Sequence, residues 1–146
     1  MGSYVDNNLS DGEQVVYRTR IHPIVFLPPA LFILGGIGAG VIVNDQIGVI
    51  VLGMGVLMLI GAWVRQWSSE FAVTNRRVIV KVGFISRRTI EINLSKVESV
   101  EVNQDIFARM FNYGTILVIG TGGTKEPFAL IDDPLAFRRA VQSQQG

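Results

Sequence analysis

Two long stretches of this chain carry no Asp, Glu, Lys or Arg, and they constrain the fold more than any other feature. The first lies between Arg20 and Asp45 and is 24 residues long, and the second lies between Asp45 and Arg65 and is 19 residues long. A helix needs roughly 20 apolar residues to cross the hydrocarbon core of a bilayer. The sequence therefore predicts two transmembrane helices, over residues 24–43 and 47–64, joined by a tight polar turn.

The alternative interpretation is a pair of core helices in a soluble protein. Only 17% of the residues are charged, whereas soluble domains are typically about one quarter charged. Two neighbouring helices that are apolar on all sides also could not be hidden in a domain this small. Glycine weakens helices in water but lets helices approach closely in lipid. Gly36 and Gly40 have the small-xxx-small spacing, so we expect them to pack the hairpin or to join protomers.

Aromatic and basic residues flank the predicted hairpin and indicate its orientation. Trp63 and Trp67 lie on one helical face beside Arg65, which is typical of a membrane interface. The turn carries only Asp45, whereas basic residues flank both spans on their outer sides. The positive-inside rule therefore predicts a multi-pass protein of the cell membrane with both termini in the cytoplasm.

After the second span the apolar period changes to two, which is typical of half-buried strands. We expect six strands, a short helix capped by Asp105, and a C-terminal helix that starts at Asp133 and Pro134 and plugs an open end of the sheet. Residues 14–20 also alternate, and we hypothesise that they complete the sheet as its first strand; a disordered tail is the alternative. The predicted organisation is an N-terminal cytoplasmic segment, 1–22, a transmembrane hairpin, 23–66, and a mainly-β cytoplasmic domain, 67–146.

Several runs in the second half resemble one known family. They are Glu70-Phe71-Ala72-Val73-Thr74-Asn75-Arg76-Arg77-Val78-Ile79, Glu91-Ile92-Asn93-Leu94-Ser95-Lys96-Val97, Tyr113-Gly114-Thr115 with Gly120-Thr121-Gly122-Gly123, and Phe128 to Arg138. In order and spacing they resemble the bacterial pleckstrin-homology domain group of YdbS/YdbT-like membrane proteins, over residues 65–140. The resemblance implies a partly open barrel of six or seven strands, capped by a C-terminal helix, and no particular chemistry.

Composition argues against catalysis. The chain has no cysteine and a single histidine, His22, so the usual nucleophile and metal-ligand sets cannot be assembled. We expect no enzyme activity, no catalytic residue, no metal and no cofactor, and a small basic cluster on a membrane-held domain does not favour a nucleic-acid partner.

One basic cluster is a candidate contact for anionic lipid or for a protein partner, although solvent-facing strand residues are the simpler interpretation. Its members are Arg76, Arg77, Lys81, Arg87 and Arg88. The leading hypothesis is a non-catalytic binding or scaffolding module at the cytoplasmic face of the membrane, with membrane lipid and a protein partner or a homo-oligomer as partners. The alternatives are a self-assembling subunit of a larger membrane complex and a sensor of anionic lipid headgroups.

Overall fold

A computed structural model describes residues 4–83 and 85–145. The chain divides into two compact units. One is a helical hairpin, Pro23–Trp67, and the other is a domain built from Met1–His22 together with Ser68–Gly146. The hairpin is therefore an insertion within the sequence of the domain.

The hairpin consists of a short 3₁₀ helix, Pro23–Phe26, followed by α2, Leu27–Ile42, and α3, Asp45–Ser68. Pro28 and Pro29 lie in the first turn of α2, where a missing N–H interrupts no helical hydrogen bond. Both helices are long and apolar enough to cross a membrane, and only 17% of the apolar stretch of each helix is buried inside the protein. Side chains such as Val41, 83% exposed, and Leu57, 72% exposed, therefore require an apolar surrounding, and the protein is membrane-associated.

Glycines allow close contact between α2 and α3. A Cβ built on Gly36 would lie 2.5 Å from the backbone nitrogen of Leu52, and one built on Gly48 would lie 2.4 Å from the Cα of Gly40. No larger residue fits at such a distance without moving the helices apart. Gly36 and Gly40 thus lie at the contact within the hairpin.

The domain contains seven strands in two antiparallel sheets. They are β1 Val15–Thr19, β2 Glu70–Thr74, β3 Arg77–Val82, β4 Arg88–Asn93, β5 Val97–Asn103, β6 Tyr113–Gly120 and β7 Lys125–Asp132. The first sheet has the order β1-β2-β3-β4 and the second the order β5-β6-β7. An isolated bridge between Ile21 and Ile131 links β1 to β7, and the two sheets do not close into a complete barrel. The hypothesised first strand is thus β1, which pairs with β2.

The inner faces of the two sheets form the core together with the C-terminal helix α5, Pro134–Gln145. Phe137 and Val141 of α5 are fully buried, and α5 packs against strands of both sheets. The Asp133 carboxylate accepts a hydrogen bond from the Ala136 N–H at 3.3 Å, as predicted for the start of this helix. The predicted fold class, a helical hairpin plus a mainly-β, partly open barrel with a C-terminal capping helix, is confirmed.

The N-terminal segment covers the outer face of the first sheet, which the sequence analysis did not predict. The short helix α1, Tyr4–Asn7, buries Val5 against Ala72 of β2 and Ile79 of β3. The Glu70 carboxylate accepts hydrogen bonds from the backbone N–H groups of Tyr4 and Val5, at 3.1 and 3.2 Å. This cover explains why β2 and β3 are buried on both faces.

Candidate functional site

The strand pairing shows that the chain leaves the domain for the hairpin, and returns from the hairpin, at the same end of the domain. Thr19, at the end of β1, is paired with Phe71, near the start of β2. Because β1 and β2 are antiparallel, residues 20–22 and 69–70 lie at the same end of the sheet. We refer to this end, marked by residues 20–22 and 69–70, as the junction end.

The predicted basic cluster is divided between the two ends of the first sheet. Lys81 pairs with Glu70, and Arg88 pairs with Val82, so Lys81, Arg87 and Arg88 belong to the junction end. Arg76 and Arg77 lie at the opposite end, at the turn between β2 and β3. Lys81 is four positions after Arg77 along β3, which is a distance of about 13 Å. This distance exceeds the Debye length of about 8 Å at physiological salt, so the two groups act independently.

Arg77 is held in an ion network with the N-terminal segment. Its Nε and Nη2 donate to the two carboxylate oxygens of Glu13, both at 2.9 Å. Its Nη1 donates to Glu91 at 2.6 Å, and Nη2 also donates to the Asn8 carbonyl at 2.7 Å. The Glu13 side chain is fully buried in this network. Arg77 therefore fastens the cover of the first sheet, which is a structural role.

The electrostatics of the pair agree with this role. Burial raises the pKa of Glu13, but hydrogen bonds from Arg77, the Ser10 N–H and Thr74 together outweigh it and lower the pKa to about 2. Hydrogen bonding to Glu13 in turn raises the pKa of Arg77. Both groups remain charged at neutral pH.

Arg76, Arg87 and Arg88 are exposed, whereas Lys81 is half-buried. Arg88 donates to Glu126 at 2.8 Å, but its side chain is 65% exposed, and exposed pairs of this kind contribute little to stability. Among residues 4–83 and 85–145, Arg76, Lys81 and Arg87 form no salt bridge within 4.0 Å. At the junction end, the exposed Arg87 and the half-buried Lys81 therefore carry charges that no described ion pair neutralises.

A second candidate site is a cavity of about 570 Å³ beside a short helix, α4, Ile106–Phe111. Asp105 caps α4 as predicted, accepting a hydrogen bond from the Ala108 N–H at 2.7 Å, and Asn112 ends it in the left-handed conformation with φ of 58°. The cavity is lined by Val102, Asn103, Gln104, Arg109, Asn112 and Leu135. No spacing signal in the sequence predicts that these six residues meet.

The predicted interface residues lie near the end of α3. The rings of Trp63 and Trp67 stack, with centroids 6.4 Å apart, and both residues are more than half exposed. Arg65 lies between them in the sequence, in the last turns of the helix. The position of these side chains relative to a bilayer remains a prediction.

No cluster of metal ligands is found in the part of the chain that the structure describes. No three His, Cys, Asp or Glu residues there are placed to hold a metal ion. The single histidine, His22, packs its ring against Tyr113 with centroids 5.3 Å apart.

The seven-stranded open barrel, the capping helix and the apolar hairpin define the class as a membrane-associated pleckstrin-homology-like domain. The family model described as "Bacterial PH domain" matches residues 27–145, from the start of α2 to the end of α5. The chain belongs to this family of bacterial PH domains, which are generally non-catalytic. No curated protein and no solved structure matches it significantly.

Proposed function

We propose that this protein is a non-catalytic binding module that the hairpin holds at the cytoplasmic face of the cell membrane, where its junction end binds anionic lipid headgroups. The observation that carries the proposal is that the exposed Arg87 and the half-buried Lys81 lie at that end without a salt-bridge partner among the described residues. Arg88 contributes a third, partly engaged charge.

The length of the connections supports this assignment. The bridge residue Ile21 is two positions before Pro23, where the first apolar span begins. On the return, α3 ends at Ser68 and β2 begins at Glu70. Two extended residues span at most about 7 Å. The junction end is therefore tethered closely enough to a membrane-spanning hairpin for long basic side chains to reach the headgroup layer.

The expected energy is modest for each side chain. A Lys or Arg near an anionic leaflet contributes about 1 kcal/mol, so Lys81 and Arg87 together strengthen lipid binding by up to about 30-fold. Arg76 and Arg77 lie at the opposite end, and Arg77 is committed to Glu13 and Glu91. Arg76, which is exposed, is proposed here as a contact for a protein partner rather than for lipid.

Native mass spectrometry of the full chain in detergent tests the proposal by titration with phosphatidylglycerol and, separately, phosphatidylcholine. The double variant K81Q/R87Q is expected to lose most of the preference for phosphatidylglycerol. The control Arg76→Gln removes a single positive charge from the other end and should keep the preference within about twofold. Equal losses in both variants, or no preference in the unmodified chain, would reject the junction-end assignment.

Self-assembly into a subunit of a larger membrane complex is the second candidate. Among the described residues, no atom from outside the adjoining turns of α2 lies within 4 Å of a Cβ built on Gly35 or Gly38. A neighbouring helix could therefore pack closely against that side. The molecular mass of the full chain in detergent separates the two cases. A mass of one chain rejects self-assembly, and a larger, defined mass supports it.

A further inference from the structure

The short helix α4 presents an apolar face away from the domain. Ile106 is 76% exposed, Phe107 66%, Met110 70% and Phe111 51%. At 100° per residue these four positions cover about 140° of the helix. Ala108 lies outside that arc and is buried, only 3% exposed, so it marks the side that contacts the domain.

This face accounts for most of the exposed apolar surface of the domain. Outside the hairpin, six large apolar side chains in the described ranges are exposed, and four belong to α4. The other two are Val16 and Ile85. Clustered exposure of this kind marks an interaction surface, whereas single exposed apolar residues are ordinary.

Contacts within the domain place α4 next to the point where the chain departs for the first span. Asn112 follows α4 directly, and its carbonyl accepts a hydrogen bond from the Asp133 N–H at 3.0 Å. The next residue, Tyr113, packs against the ring of His22. The His22 N–H is itself fixed to the Leu130 carbonyl at 2.7 Å. His22 immediately precedes Pro23, so the C-terminal end of α4 lies at the junction end.

We propose that α4 inserts its apolar face into the boundary between headgroups and acyl chains of the same membrane that holds the hairpin. This inference rests on the proposed function, because it requires the hairpin to span the bilayer. Helices with aromatic and aliphatic side chains on one face bind in this way, with the apolar face buried roughly 5–10 Å below the surface. Arg109 lies at the edge of the face and carries the positive charge that anionic headgroups attract.

The short connection between the junction end and the first span makes a lipid bilayer the partner that best fits the apolar face of α4. The junction end is joined to the first span by a single peptide bond after His22, so no separate encounter is needed. Intramolecular attachment of this kind raises the effective concentration of the second contact into the millimolar range, and weak apolar contacts become occupied. A soluble partner gains no such advantage.

Single-cysteine labelling tests the insertion in the full chain, since the sequence contains no cysteine. We would label Phe107→Cys with an environment-sensitive fluorophore in liposomes that contain phosphatidylglycerol. Lys125→Cys, an exposed site on β7, serves as the aqueous control, and Val41→Cys in the hairpin serves as the hydrocarbon control. Quenching by lipid-borne nitroxide is compared with quenching by dissolved iodide.

The expected result is a blue-shifted emission for the label at 107, with strong nitroxide quenching and weak iodide quenching, as at 41 and unlike at 125. Iodide quenching at 107 together with nitroxide quenching at 41 would overturn the insertion and leave the proposed function intact. Protection of 107 from both quenchers would also overturn it, because protein, such as a second copy of the chain, would then cover α4. Iodide quenching at 41 would reject the hairpin span itself, and with it both proposals.

Discussion

Glu13→Gln is the substitution that most directly tests the network holding the N-terminal cover on the first sheet. Both carboxylate oxygens are occupied by donors: Oε1 accepts from Thr74 and Arg77, and Oε2 accepts from Ser10 and Arg77. Glutamine has nearly the same size but replaces one oxygen with an NH₂ group. In either orientation of the amide, that NH₂ group faces an Arg77 N–H and cannot accept a hydrogen bond from it.

Two independent considerations give the loss of stability that we expect for Glu13→Gln. Hydrogen bonds to charged groups contribute about 1.5–3 kcal/mol, and the substitution removes at least one and leaves Arg77 without a charged partner on that side. The fall in the pKa of Glu13 from 4.5 to about 2 corresponds to at most about 3 kcal/mol of stabilisation, which solvent screening reduces. Both considerations indicate a loss of about 2 kcal/mol for the attachment of residues 4–13.

Hydrogen–deuterium exchange of the full chain in lipid nanodiscs measures this loss locally. A destabilisation of about 2 kcal/mol accelerates exchange in residues 4–13 by roughly 30-fold where local opening limits exchange. Strand β6, in the other sheet, should exchange at an unchanged rate. Glu98→Gln is the matched control, because Glu98 is exposed and has no salt bridge among the described residues.

The reasoning fails if Glu13→Gln accelerates exchange in residues 4–13 by less than about threefold, since this is within the scatter of surface substitutions. It also fails if Glu98→Gln has an equal effect. Equal acceleration in β6 would show that the substitution destabilises the whole domain, which contradicts a local attachment.

Three further predictions concern acid, the hairpin and the α4 cap. Because folding lowers the pKa of Glu13, the stability that this carboxylate contributes is complete above about pH 4.5 and is lost as the pH falls towards 2. Hydrogen exchange in residues 4–13, corrected for intrinsic rates, should therefore rise over that interval in the unmodified chain. It should rise much less in Glu13→Gln. Gly48→Ala, whose Cβ would lie 2.4 Å from the Cα of Gly40, should cost about 1–3 kcal/mol by forcing α2 and α3 apart and should lower the thermal midpoint in detergent. Gly53→Ala should not lower it, because in the described part of the chain no atom from outside the adjoining turns of α3 lies within 4 Å of that Cβ. Asp105→Ala removes the α4 cap and should lower the stability of this helix by about 1 kcal/mol, which appears as roughly fivefold faster hydrogen exchange at the Ala108 N–H. An unchanged exchange rate at Ala108 would contradict the capping role.

Local signals predicted most of the fold because each depends on neighbouring residues in the sequence. The period-two alternation identified the strands, and Asp105 and Asp133 stand where a helix begins. The lengths of the charge-free stretches identified the two helices of the hairpin.

The N-terminal cover could not be predicted in the same way. Glu13 and Arg77 are 64 residues apart, and the hairpin lies between them, so neither residue carries a local sign of the contact. The same reason explains the basic cluster. Five basic residues close together in the sequence indicated a single patch, but strand pairing places Arg77 and Lys81 at opposite ends of β3. The exposed face of α4 was also missed, because in the sequence its apolar residues look like those of a core helix.

Accessibility of single cysteines to a membrane-impermeant maleimide tests the central claim most directly, namely that the hairpin crosses the membrane and holds the domain on one side. In intact cells without an outer membrane or cell wall, Gln46→Cys, an exposed site in the first turn of α3, should be labelled from outside. Lys125→Cys and Gln14→Cys, on either side of the hairpin in the sequence, should be labelled only after the membrane is permeabilised. Labelling of all three cysteines from the same side would show that the hairpin does not cross the membrane and would contradict the account.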